Sequence, residues 1–160
     1  MEISNITGRI GGLVGHGRDN CIENSYATGN VSGKTTGDEG VHAGGVIGFY
    51  NRWAYGNILN CYATGNVEVS STDPNLSFVG GVAGHLYDRA YMAIENIYRC
   101  DEQKLSVTIN GVTTNEPTNT EGVVKTMSEL KSVSFQTETL KWSAEAWNFT
   151  NGAHPTLKIK

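Results

Sequence analysis

Four histidines, at positions 16, 42, 85 and 154, are the first side chains in this chain to test for chemistry. Imidazole binds transition metals and moves protons near neutral pH. Neither use is supported by the spacing. No H-E-x-x-H occurs, and the four residues are scattered along the sequence. No metal site is expected. The carboxylates Glu23 and Glu95 share a position in an internal repeat, two copies apart. Stacked strands would hold them roughly 9–10 Å apart, which overlaps the separation used by inverting glycosidases. Leu59 falls between them, however, and no second motif accompanies them. Two solvated glutamates on an outer face explain the pair better. No G-x-S-x-G elbow is present. The glycine-rich stretches "GRIGG" and "GLVGHG" precede no helix that could cradle a phosphate. The cysteines Cys21, Cys61 and Cys100 form no C-x-x-C pair, and an odd count leaves a thiol unpaired. They read as buried thiols. Asp38–Glu39 could bind calcium, but no repeated Asp pattern supports it. The chain therefore reads as a non-enzyme without cofactors.

The most suggestive residues lie in two aligned loops. "FYNRWAYGN" (Phe49–Asn57) aligns with "HLYDRAYMA" (His85–Ala93). Tyr55 then neighbours Tyr91, Arg52 neighbours Asp88, and Trp53 neighbours Arg89. Aromatics, arginines and a carboxylate on one edge suit sugar stacking or a protein contact. The competing reading is that these side chains pack on one another and stiffen the loops.

The elements that must position those loops come from a repeat. "GGLVG" starts at Gly11, "GGVIG" at Gly44 and "GGVAG" at Gly80, in steps of 33 and 36 residues. The marker Ile-x-Asn recurs at Ile22–Asn24, Ile58–Asn60 and Ile94–Asn96, in two steps of 36. The first copy is three residues shorter between the two markers. Each copy reads as a strand around the glycines, a variable loop, a strand from Ile-x-Asn and a short strand around Val31 or Val67. Such a strand-only repeat predicts one coil of a parallel β-helix. The fold class expected is mainly β: a right-handed parallel β-helix of about three coils. Stacking at about 4.8 Å predicts ladders of like residues. Ile22, Ile58 and Ile94 form one, Asn24, Asn60 and Asn96 a second, and Tyr26, Tyr62 and Tyr98 a third. Leu13, Val46 and Val82 form an apolar row, and Val14, Ile47 and Ala83 the next. Adjacent rows should face opposite sides, so something must cover the outer one. Whether the tyrosines or Ser25, Cys61 and Ile97 point inward is left open, because a bend at the asparagine would reset the alternation.

The repeat decays after Tyr98. "KLSVTINGVTTN" predicts a hairpin at Asn110–Gly111. Thr126 and Glu129 have capping-box spacing, with Met127, Leu130 and Val133 on one helical face. Two domains are expected: a repeat solenoid over 1–100 and an α+β cap over 101–160. The cap helix is the candidate cover for the apolar outer face. Glycine is abundant, 20 of 160 residues, and proline scarce at three, which suits many strands and tight turns rather than disorder. The net charge of −4 and the absence of a basic run exclude a nucleic-acid partner. No apolar run approaches the roughly 18 residues a spanning helix needs. The start, "MEISNITGRIGG", lacks signal-peptide layout. The chain is thus either cytoplasmic or a fragment of a longer secreted protein, with coils expected before Met1.

"GGLVG…IENSYATGNVSG" and "GGVIG…ILNCYATGNVEV" resemble the GLUG motif, closely in two copies and partly in a third, over about Arg9 to Cys100. The tail, with its Met-x-x-Leu-Lys helix, tryptophan and "NGAHPTLK", resembles the segment that often ends such arrays. GLUG repeats occur in large bacterial surface and secreted proteins. These include adhesin-like proteins and immunoglobulin A-specific metallopeptidases, in which the repeats lie outside the catalytic domain. The resemblance implies an extracellular or cell-surface module joined to adjacent domains of a longer chain. It implies a role in adhesion or as a spacer, with a host or bacterial surface glycan or protein as partner. It carries no catalytic residue over. A carbohydrate-binding module using Arg52, Trp53, Tyr55, Asp88, Arg89 and Tyr91 is the alternative. A polysaccharide-cleaving β-helix is the third reading.

Overall fold

The computed structural model describes residues 2–3 (backbone only), 8–36, 40–51, 56–73, 77–87, 92–115 and 122–159. The repeat folds into strands that pair, in parallel, with their equivalents one repeat on. Four sheets result. Sheet I holds Gly8–Gly11, Val41–Gly44 and Phe78–Gly80. Sheet II holds Val14–Arg18, Ile47–Asn51 and Ala83–Tyr87. Sheet III holds Cys21–Glu23 with Tyr26–Ala27, then Asn57–Ala63, Ala93–Cys100 and Val123–Lys125. Sheet IV holds Val31–Thr35, Val67–Ser71 and Leu105–Ile109, with Glu2–Ile3 on its outer edge. The architecture is mainly β and β-helix-like.

The glycine motif is a bend rather than one strand. Gly44 ends a strand of sheet I and Ile47 begins one of sheet II. A Cβ at Gly45 would overlap the carbonyl oxygen of Gly81 and the Ala63 side chain, so only glycine permits the turn. The bend resets side-chain alternation. Val46, Ile47, Val82 and Ala83 consequently share one interior cluster instead of facing opposite sides. The expected outer apolar row therefore does not exist there.

A second reset lies in sheet III. Asn24, Asn60 and Asn96 have φ of 50°, 54° and 51°. Asn is among the few residues that enter the left-handed region at modest cost. Ile22 and Ile58 point inward before the kink, and Cys61 and Ile97 point inward after it. The tyrosines point outward. Their amide neighbours form a chain: Asn60 Nδ2 donates to Asn24 Oδ1 at 3.1 Å, and Asn96 Nδ2 to Asn60 Oδ1 at 3.0 Å. A separate apolar compartment joins sheets I and IV through Val31, Val41, Ala43, Val67, Val79 and Val107.

The C-terminal residues cover the tyrosine row, not the glycine-motif sheets. Leu130, Phe135, Leu140 and Trp142 pack with Tyr62 and Tyr98. Trp142 Nε1 donates to the Asn60 carbonyl at 3.0 Å, and Tyr26 Oη to the Pro155 carbonyl at 2.8 Å. Asn110 and Gly111, at φ 49° and 82°, turn Leu105–Ile109 into the antiparallel strand Val112–Thr114. Thr126 and Glu129 form a capping box. The helix it starts spans only Met127–Leu130, and a π-helical turn follows at Phe135–Thr139. Ser132 explains the stop. Its hydroxyl donates to the Glu129 carbonyl at 2.8 Å and accepts from the Phe135 N–H, competing with the helical ladder. The buried face is therefore Leu130–Phe135–Leu140 rather than a regular Met127–Leu130–Val133 stripe.

Candidate functional site

The six loop residues Arg52, Trp53, Tyr55, Asp88, Arg89 and Tyr91 lie outside the described residues. What the structure describes is the base on which those loops stand. Both loops leave the C-terminal ends of sheet II strands, at Asn51 and Tyr87. Tyr50, fully buried next to the strand end Asn51, donates its hydroxyl to the Asn20 carbonyl and accepts from the Asn20 N–H at 3.2 Å. That anchor fixes the loop stem to the preceding repeat.

Beside these stems stands a block of rings. Sheet II contributes His16, Phe49 and His85 in register, and sheet I contributes Arg9, His42 and Phe78 in register. The two rows interleave. His42 stacks on Phe49 at 5.1 Å and on His85 at 4.9 Å. Phe78 meets His85 edge-on at 4.4 Å. The Arg9 guanidinium lies over Phe49, 4.4 Å from its centroid, and donates to His16 Nδ1 at 3.1 Å. That bond requires an unprotonated Nδ1 on His16.

Burial governs the electrostatics. It is the main reason the His42 imidazole is held down at about 4, with His85 and Arg9 adding repulsion. Burial also lowers His16, helped by Arg9 and Arg18, and lowers His85. The block is thus neutral imidazole at physiological pH, capped by one permanent cation. Aromatic faces beside a guanidinium can stack on a flat apolar ligand face and hydrogen-bond its polar rim.

The remaining candidate groups are dispersed. Glu23 and Glu95 are exposed and each pairs across Leu59. Among the described residues no group of three or more His, Cys, Asp or Glu could hold a metal. Cys21 is exposed, whereas Cys61 and Cys100 are buried. Burial pushes the Cys61 thiol up to about 11. His154 sits elsewhere, its Nδ1 bonded to Tyr62 Oη at 2.8 Å in the tail–sheet contact.

The row Arg9–His42–Phe78 escaped the sequence reading. Each member stands two residues before the first glycine of its motif, so the register alone could have found it. Its contact with the His16–Phe49–His85 row depends on the glycine bend, which the sequence pattern did not reveal.

Comparison with known proteins places the repeat. Residues 39–68 match the GLUG motif. This chain carries a GLUG repeat. The matched stretch runs from the start of the second sheet I strand through the Ile-x-Asn marker into sheet IV. One similar solved structure is described as that of a proposed immunoglobulin A1 protease from Bacteroides ovatus. It shares 23% identity at a TM-score of 0.64, covering 98% of this chain and 55% of that one. The likeness is one of fold, and this chain spans about half the length of that protein. No curated protein matches the chain.

Proposed function

We propose that this GLUG-bearing chain is a non-catalytic module of a bacterial surface or secreted protein, acting in adhesion or as a spacer. In this reading residues 1–100 form a right-handed β-solenoid of three coils, and 101–160 form its cap. The module works outside the cell, joined to adjacent domains of a longer chain. The observation that carries the reading is the in-register stacking of like residues, from Asn24 through Asn60 to Asn96. Such stacking spends the repeated residues on architecture. It leaves the loops, where the copies differ, to make contacts. The similarity to a structure described as a protease raises the question of catalysis. Against it stand the exposed, dispersed Glu23 and Glu95 and the lack, among the described residues, of any clustered ligands.

A glycan is the second reading for the partner. The ring block favours it, because Phe78, His85 and Arg9 remain partly exposed on sheets I and II, and two strands of sheet II end at Asn51 and Tyr87, from which the sequence runs on to Trp53, Tyr55 and Tyr91. The test is a glycan and matrix-protein array probed with wild type, Trp53→Ala and Tyr91→Ala. Selective binding that depends on Trp53 supports a recognition surface at the loops. Binding unchanged in both variants moves the contact elsewhere. Polysaccharide turnover lost in Glu23→Gln overturns the non-catalytic assignment.

A further inference from the structure

The ring block carries a charge pattern at odds with the composition. The chain holds 16 acidic side chains to 12 lysines and arginines. Yet the fixed charges that reach the block's imidazoles come from Arg9 and Arg18. Asp19 pairs with Arg18 at 3.6 Å. Among the described residues Arg9 has no carboxylate partner: its guanidinium lies over Phe49 and donates through Nη1 to His16. A guanidinium has five N–H donors, so most of this fork has no protein acceptor. Across sheet I, Arg9 is in register with His42, and His42 with Phe78. Two strand spacings, roughly 9–10 Å, therefore separate Arg9 from Phe78. His42 and Phe49 form the floor between them, 7% and 8% exposed. Phe78 and His85 stay half-exposed at the far end, and Arg9 is exposed at the near one. Ile10, Ala43 and Val79, which alternate with this row, pack inside. The row thus points outward, and a strand beyond Gly8–Gly11 would lie beside Arg9 rather than over it.

We infer that this face binds an acidic oligosaccharide, with a uronate carboxylate on Arg9 and a second sugar ring two strands away against Phe78 and His85. The inference deepens the glycan reading and rests on it, adding the charge and the orientation of the ligand. Arginine takes a planar carboxylate through two parallel N–H bonds. An aromatic face takes the apolar face of a sugar ring. The span from Arg9 to Phe78 suits a disaccharide or a longer chain, lying along the direction in which the repeats stack. The rings hold one another in place, His42 against His85 at 4.9 Å and Phe78 against His85 at 4.4 Å. Little side-chain ordering is therefore left for binding to cost. The His85 nitrogens make no hydrogen bond to a described residue, so they are available to sugar hydroxyls. An acidic peptide would also satisfy Arg9. Its carboxylates carry no ring for Phe78 and His85, which favours the sugar.

The probes are end-labelled oligogalacturonate and hyaluronan oligosaccharides, one uronate source from plant matter and one from animal matrix. Each is titrated with the whole chain and read by fluorescence anisotropy. Saturable binding of at least one is expected. It should weaken about ten-fold in Arg9→Gln, and as much when the carboxyls of the bound probe are reduced to alcohols. Phe78→Leu keeps the apolar volume, removes the ring face and should cost about three-fold. Circular dichroism would verify that both variants keep the fold. Failure of both probes to bind would overturn the inference. So would equal binding of the carboxyl-reduced probe, of polyglutamate, or by Arg9→Gln. Trp53→Ala separates this inference from the loop reading. Uronate binding lost in Arg9→Gln and kept in Trp53→Ala supports it and overturns the loops as the contact. Binding of a neutral glycan that needs Trp53 but not Arg9 overturns it and leaves the loop reading standing.

Discussion

Acid should loosen the ring block, and His42 sets the scale. His42 is 7% exposed, lies between Phe49 and His85, and meets Arg9 as its only permanently charged neighbour among the described residues. Its imidazole takes up a proton at about 4 in the folded chain and at 6.5 when unfolded. Between those values the unfolded state binds more protons, so stability falls as pH falls. The contribution is fully present above 6.5, declines below it, and levels off below about 4. Linkage from those two values gives a loss of about 2 kcal/mol between pH 7.5 and pH 5. That is a large share of a typical domain's stability. The assay is urea unfolding at pH 7.5, 6.5, 5.5 and 5 for wild type and His42→Phe. The phenylalanine variant keeps the stack and removes the proton site, so its curve should be flatter by about 2 kcal/mol over that range. Equal pH slopes in the two proteins would refute the placement of His42 as a buried neutral imidazole.

Three further outcomes are expected. Asn60→Ala should cost about 2–3 kcal/mol, from the left-handed backbone and two side-chain hydrogen bonds, and Asn60→Gly about 1–2, because glycine keeps the backbone; equal costs in denaturant unfolding would contradict the left-handed backbone contribution, and a cost-free Asn60→Gly would contradict the amide chain. A thiol-reactive chromogen should show one fast cysteine, lost in Cys21→Ser, since Cys61 and Cys100 are buried with raised thiol pKa values; three fast thiols would contradict the packing. Tyr62→Phe leaves His154 without its 2.8 Å partner and should cost about 1–2 kcal/mol, seen as earlier loss of tryptophan fluorescence on unfolding.

The parallel β architecture was legible because stacking one repeat on the next demands like over like. The two steps of 36 residues between Ile-x-Asn markers are the spacing at which Ile22, Ile58 and Ile94 pair. Side-chain direction was less legible. It hinges on two local resets, the left-handed asparagines and the glycine bend, and neither follows from periodicity. The bend also hid the ring block, since Arg9, His42 and Phe78 reach His16, Phe49 and His85 only when sheets I and II fold together. The tail went to the tyrosine row because that face offers the stacked pair Tyr26–Tyr62, Tyr98 in register beside it, and a carbonyl at Asn60 that accepts from Trp142. The short helix was obscured by Ser132, whose hydroxyl competes for backbone groups that the 3.6-residue pattern assigns to the helix.

The central proposal is a non-catalytic module whose contacts are made by the loops, where the repeats differ. Its most direct test is quantitative binding of the whole chain to arrayed host and bacterial surface glycans and matrix proteins, with product analysis of the same polysaccharides. The account predicts selective binding by wild type, at least ten-fold weaker in Trp53→Ala, with every polysaccharide intact. Cleavage of any arrayed polysaccharide, or binding indifferent to every loop substitution, would contradict it.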